Sequence, residues 1–162
     1  MPVFEFHIDV AVPAASLWGA IERETELMPK YAPEWFSSIE YHEGEGNKPG
    51  SVYSVHFGEN LKDHTDNTSN FVKFKIITFD AEKRSVVLEA LEGGYFHQYP
   101  SIHRWTHSYN VIEVDDSHSK LQVIADNDGK NDEDIKAALG QVQELMQVWI
   151  KVYLSHVEEE SK

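Results

Sequence analysis

The sequence predicts an α+β fold in which a curved antiparallel sheet of seven strands surrounds a long C-terminal helix. Segments with alternating apolar residues recur along the chain, and most are separated by short turns, which join antiparallel neighbours. The chain then ends in one long amphipathic segment. An antiparallel sheet with one apolar face needs a cover, and this helix can provide it. If the sheet curls around the helix, a cavity remains between the two.

The first strand and two short helices open the chain. Apolar residues alternate with polar ones from Phe4 to Val12, which is typical of a half-buried strand. Pro13 ends this strand and suits the first turn of a helix, which the pattern predicts over 14–23. Pro29 and Pro33 confine the next helical segment to a second short helix.

Six further strands and the long helix follow. The alternation predicts strands over 37–43, 53–57, 71–79, 85–91, 102–114 and 120–126, with a polar loop over 58–70. Asn131 or Asp132 can cap the final helix. Its apolar stripe spans only about three heptads and contains bulky rings, so it favours packing on a sheet over a coiled coil. The stripe consists of Ile135, Leu139, Val142, Met146, Trp149 and Tyr153.

Composition limits the classes of function. The 162 residues predict one domain over 1–162. The net charge of −14 repels phosphate backbones and anionic membranes, so neither nucleic acid nor a membrane is an expected partner. There is no cysteine, and the first residues lack the pattern of a signal peptide, so we expect a soluble cytoplasmic protein.

A glycine-rich loop joins the second and third strands. Gly44, Gly46 and Gly50 depart from a dinucleotide-binding motif, because the last spacing is one residue too long and a strand follows the loop. Its backbone amides could meet an anion, but Glu43 and Glu45 bring negative charge to the same place. A structural loop is the favoured interpretation.

The chain resembles the Bet v 1 family, the pathogenesis-related class 10 and major-latex-like proteins of plants within the START-like superfamily. The resemblance rests on the order and spacing of four segments: Val12-Pro13-Ala14, the loop from Glu43 to Ser51, Glu92-Gly93-Gly94 and Val152-Tyr153-Leu154. It implies a helix-grip fold. It also implies an internal cavity for flavonoids, cytokinins, sterols or alkaloid precursors, and a place in plant defence or specialised metabolism. Norcoclaurine synthases are among the few enzymes of this family.

The resemblance places one face of the sixth strand toward that cavity. Trp105, His107 and Tyr109 share this face, and they offer flat rings with polar edges to a planar ligand. His107 could also act as a general base, with Tyr109 as a donor to a developing oxyanion. The plainer alternative is that His107 is a core histidine. The cavity hypothesis adds further lining residues: Tyr53, Val55, Phe57, Phe71, Leu88, Leu139, Val142, Met146 and Trp149.

Three functions remain open from the sequence. The first is binding of a small hydrophobic or aromatic molecule in the cavity by a monomer or weak dimer. The second is an enzyme that performs condensation, isomerisation or cyclisation by acid–base catalysis with His107 and Tyr109. The third is an interaction protein whose acidic face binds a basic partner. No cofactor or metal is expected, since His103 and His107 lie about 13 Å apart along a strand and cannot share one ion.

Overall fold

The computed structural model of the chain describes residues 3–58, 71–93 and 101–160. The predicted loop beyond Gly58 lies outside these ranges up to residue 70, as does Gly94. The strands are β1 Val3–Val10, β2 Phe36–Glu43, β3 Val52–Phe57, β4 Phe71–Asp80, β5 Ser85–Gly93, β6 Trp105–Asp115 and β7 His118–Asn127. The helices are α1 Ala14–Glu22, α2 Glu24–Tyr31 and α3 Asp132–Glu160.

The strands form one seven-stranded antiparallel sheet in the order β1-β7-β6-β5-β4-β3-β2. Strands β1 and β2 therefore lie at the two edges, on either side of the crossover made by α1 and α2. The predicted α+β helix-grip fold, with two short helices after the first strand, is confirmed. The inner face of the sheet packs on α3, whose buried residues include Ile135, Val142 and Trp149.

Most strand ends differ from the sequence prediction by one or two residues, and the start of β6 differs by three. Strand β6 begins at Trp105 rather than at residue 102, because the Asp128 carboxylate accepts the backbone N–H groups of His103 and Arg104, each at 2.8 Å. Those donors are thus satisfied by a side chain instead of a neighbouring strand. Strand β1 ends at Val10 rather than at residue 12. Val10 pairs with Ser119, and the turn that precedes β7 leaves the next residues of β1 without a strand partner.

Helix α3 begins with a side-chain cap, whereas α1 and α2 begin without one. Asn131 caps α3, since its side-chain oxygen accepts the backbone N–H of Glu133 at 2.9 Å. Three acidic residues occupy the first turn, where the helix dipole favours negative charge. Pro13 precedes α1 in extended conformation, as its fixed φ allows. Helix α1 packs on β6 and α3, and α2 packs on β2 and α3.

Candidate functional site

A small cavity lies between the inner face of the sheet and the helices α2 and α3. Its volume is about 50 Å³. Most of its wall is apolar, and carbon-rich side chains come from strands β2 to β6 as well as from both helices. The lining residues are Glu24, Met28, Phe36, Ile39, Tyr53, Val55, Phe57, Val72, Phe74, Leu88, Tyr109, Leu145, Met146 and Trp149.

Part of the lining predicted from the sequence lies in this wall. Strand β3 contributes three alternate residues, because successive side chains of a strand point to opposite faces. Four more predicted residues approach from β5, β6 and α3. The predicted residues in the wall are Tyr53, Val55, Phe57, Leu88, Tyr109, Met146 and Trp149.

Five predicted residues do not line the cavity. Phe71 lies on the opposite face of β4 from the inward residues, with its ring centroid 6.0 Å from that of His56. Leu139 and Val142 pack against the core earlier on α3, Val142 being about 6 Å before Met146 along the helix axis. Trp105 and His107 are both about 1% exposed and pack in the core, on the β6 stretch that leads to Tyr109.

A hydrogen-bonded relay connects these three residues of β6. The indole Nε1–H of Trp105 donates to Nδ1 of His107 at 3.1 Å, and Nε2 of His107 lies 2.8 Å from the Tyr109 hydroxyl. The relay is possible because residues two apart on a strand share a face. The ring of Phe74 packs edge-on against the ring of His107, with 5.4 Å between the two centroids.

The relay fixes the protonation of His107. An indole N–H can only donate, so Nδ1 must carry a lone pair, and in a neutral ring the proton sits on Nε2. The His107 ring therefore donates to the Tyr109 hydroxyl. Burial lowers the pKa of His107 from 6.5 to about 4, so the ring is neutral at physiological pH.

A carboxylate reaches the cavity from the helix side. Glu24 is the first residue of α2 and is half-buried, and its Oε1 accepts a hydrogen bond from the Tyr53 hydroxyl at 3.2 Å. Burial, and next the charge of Glu24, raise the pKa of Tyr53 well above its ordinary value of 10. Tyr53 therefore remains a hydrogen-bond donor at neutral pH.

Sequence reasoning missed several lining residues. The alternation of Lys73 and Lys75 with the apolar residues of β4 could have shown that Val72 and Phe74 face inward. No local pattern marks Glu24, because only the packing of α2 over the sheet brings it near Tyr53. The lining residues that sequence reasoning missed are Glu24, Met28, Phe36, Ile39, Val72, Phe74 and Leu145.

The glycine-rich loop has a structural explanation. Gly44, Gly46 and Gly50 all have positive φ angles between 66° and 92°, which residues with a side chain rarely adopt. At Gly44 a Cβ would also lie 2.7 Å from the Ser51 hydroxyl. The loop is fixed at its far end by the Gly50 N–H, which donates to the Ile76 carbonyl at 2.7 Å.

Within the described ranges, histidine and acidic side chains do not gather in groups of three or more that could hold a metal ion. The described helices also contain no apolar stretch long enough to cross a membrane.

Comparison with known proteins identifies the relatives of this chain. Residues 2–146 match the model of the pathogenesis-related protein Bet v 1 family. MLP-like protein 423 of Arabidopsis thaliana is 26% identical over 152 residues, covering 82% of this chain and 90% of that protein. Major pollen allergen Bet v 1-C of Betula pendula is 26% identical over 140 residues, covering 85% and 82%. The X-ray structure of norcoclaurine synthase from Thalictrum flavum has a TM-score of 0.75 at 18% identity, covering 98% and 87%.

Proposed function

Because this chain belongs to the Bet v 1 family, and because its sheet and helices enclose an apolar cavity, we propose that it binds a small aromatic molecule there. The observation that carries the proposal is the convergence of three polar groups on an otherwise apolar wall. These groups belong to Glu24, Tyr53 and Tyr109, which all line the cavity. An apolar pocket with a few placed polar groups is the usual form of a ligand site.

The cavity size selects small ligands. Pockets for drug-sized molecules have about 300–1,000 Å³, and an apolar cavity of about 150 Å³ holds benzene. The 50 Å³ seen here must therefore widen before one ring can enter. Met28 and Met146 both lie in the wall, and the unbranched methionine side chain adapts easily to a new shape. We expect single-ring ligands to bind before flavonoids or sterols.

The geometry favours binding over catalysis by His107. A general base must reach the proton that it abstracts, and its pKa should lie near the working pH. His107 is fully buried outside the cavity wall, both of its ring nitrogens are engaged, and its pKa is about 4. Its role in this proposal is to hold the side chain of Tyr109, a residue that lines the cavity.

Methionine methyl groups provide a direct test. The chain has three methionines, of which two line the cavity, while Met1 lies outside the described residues. In protein labelled with ¹³C at the methionine methyls, a single-ring aromatic ligand should shift the signals of Met28 and Met146 in a saturable manner. If toluene, benzyl alcohol and benzylamine all leave both signals unmoved at millimolar concentration, the proposal is wrong.

A pair of valine substitutions locates the site. Val55→Phe adds a ring where the wall faces the cavity, so it should abolish the methyl shifts, at a stability cost of about 1–3 kcal/mol. Val114→Phe makes the same change at a valine that is 52% exposed on β6, and it should leave binding intact. Equal binding by both variants would place the ligand elsewhere.

Incubation with an aromatic amine and an aldehyde tests the enzyme alternative, for which a new product mass would be the evidence.

A further inference from the structure

Strand β1 leaves an open edge on the sheet. It has a partner strand, β7, on one side only, and its eight residues pair with β7 in an unbroken register over Val3–Val10. Alternate backbone N–H and C=O groups of an edge strand point away from its one partner. In the described part of the chain, no backbone hydrogen bond outside the sheet involves these eight residues. The edge can therefore accept a further strand.

The usual protections against strand pairing are missing from β1. Folded proteins interrupt exposed edges with bulges, proline or lysine. Strand β1 contains none of these within Val3–Val10. Strand β2, at the other edge, is irregular, because its register with β3 shifts at 36–38 and again at 41–43. Hence β1, rather than β2, is the edge on which a regular ladder can form.

The two faces of β1 define what an added strand must offer. Phe4 and Phe6 lie on the inner face, where they are half-buried against the core. Glu5, His7 and Asp9 lie on the outer face and are exposed. A strand added at this edge would cover the remaining surface of the two phenylalanine rings and would set its own outer residues opposite the charged ones. It must therefore be apolar on one face and complementary in charge on the other.

A second copy of β1 meets both requirements in one register. When Phe6 lies opposite Phe6 of the second copy, Glu5 lies opposite His7, and the apolar residues of the two copies share one face. Moving the second copy by two residues sets Glu5 opposite either Glu5 or Asp9, and like charges directly opposite are destabilising. A shift of one residue would instead align the apolar face of one copy with the polar face of the other. Charge thus selects a single register.

The side chains of Glu5 and His7 are able to exchange partners. In the single chain, Nε2 of His7 lies 2.8 Å from the carboxylate of Glu5, which also accepts a hydrogen bond from Gln122 at 2.6 Å. The side chains of Glu5 and His7 keep 48% and 41% of their surface exposed, so these contacts compete with water and cost little to rearrange. The charges therefore choose the register, while the backbone ladder and the covered rings supply most of the attraction.

We propose that β1 pairs with β1 of a second copy of this chain, around a two-fold axis at Phe6, and so forms an antiparallel homodimer. The axis closes the assembly, because each copy uses the same edge. One strand pair makes a small interface, and interfaces below about 1,200 Å² are typically weak. The dimer should therefore form between micromolar and millimolar concentration. The cavity wall contains no residue of β1, so the pairing does not depend on the proposed ligand site.

Sedimentation equilibrium of the full chain tests the pairing. Wild type should show a reversible equilibrium between monomer and dimer. Glu5→Lys sets a lysine opposite His7 at both ends of the paired region, and it should weaken association about tenfold. Adding His7→Glu to that variant restores opposite charges, so the double variant should associate as wild type does. If wild type stays monomeric at millimolar concentration, the proposal fails.

A matched change on the other edge separates the pairing from the overall charge. Glu40→Lys alters the net charge as Glu5→Lys does, but it lies on an exposed position of β2. It should not weaken association. Equal weakening by both lysine variants, or none by Glu5→Lys, would overturn the proposal.

The absence of cysteine allows a test of the register. Mixing the exposed-site variants Glu5→Cys and His7→Cys places two thiols directly opposite, with about 4.5–5.5 Å between Cβ atoms. Two copies of the same variant would hold their thiols about 7 Å apart along the strands, too far for a disulfide. Under mild oxidation, mass spectrometry should find the mixed disulfide in excess over both homodisulfides. Statistical proportions of the three, or an excess of either homodisulfide, would refute this register.

Discussion

The buried imidazole of His107 predicts how stability depends on pH. The ordinary pKa of 6.5 applies in the unfolded chain, whereas burial lowers the pKa to about 4 in the folded state. Above pH 6.5 the imidazole is neutral in both the folded and the unfolded state, so His107 does not lower the free energy of unfolding. As the pH falls, the unfolded chain binds the proton first, so the free energy of unfolding decreases through the window from about 6.5 to 4.

The magnitude follows from the difference between these two pKa values. The loss due to His107 should be about 2 kcal/mol at pH 5 and about 3 kcal/mol at pH 4. That is a large part of the 5–15 kcal/mol by which a typical domain is stable. Protonation of Nδ1 would also break the bond from Trp105, so the folded state cannot relieve the penalty within the relay.

Urea unfolding of wild type and His107→Gln between pH 7.5 and 4.5 measures this effect. Glutamine does not titrate, so the variant should be less stable at pH 7 but should lose less stability as the pH falls. Other groups contribute equally to both proteins. For example, hydrogen bonds from His7 to Glu5 and from the Ser117 backbone to Asp115 hold the pKa values of those carboxyls low.

An exposed histidine supplies the control. His103→Gln makes the same substitution at an exposed histidine close to the start of β6 and serves as the matched comparison. Parallel curves for wild type and His107→Gln over the whole range would refute the reasoning, because they would mean that His107 titrates alike in the folded and unfolded states.

Three further predictions concern side-chain volume and glycine positions. Trp149→Ala should cost about 3–5 kcal/mol and enlarge the cavity, so that added indole raises the Tm of the variant but not that of wild type. Gly58→Ala should destabilise by about 1–3 kcal/mol, because its Cβ would lie 2.5 Å from backbone atoms of Pro33 and Glu34. Gly140→Ala should stabilise by about 0.5–1 kcal/mol in urea unfolding, because the added methyl meets no atom within 4 Å on an exposed helix position.

The fold could be predicted because its signals are local. Alternation in β4 and the stripe from Ile135 to Trp149 each report which face of an element is buried. The short turns then fix antiparallel neighbours. The start of β6 could not be predicted in this way, because the carboxylate of Asp128 lies about 25 residues away in sequence from the N–H groups that it binds.

The volume of the cavity depends on information that the sequence does not display. Tyr53, Phe74, Tyr109 and Trp149 come from four different elements, and their ring contacts occupy much of the space between sheet and helix. Whether such rings leave 50 Å³ or several times more depends on their rotamers and on the position of α3 over the sheet. Periodicity identifies which side chains face inward, but not how tightly they pack.

The polar groups show the same division between pattern and packing. His107 is conspicuous in the sequence, yet both of its ring nitrogens form hydrogen bonds within the protein, one with Trp105 and one with Tyr109. Glu24 stands in a run of charged residues that resembles any solvated helix start, yet packing brings it to the cavity. A polar residue bound to its neighbours within one strand stabilises and orients that strand. A polar residue held between a helix and a sheet faces the space that separates them, and there it can meet a ligand.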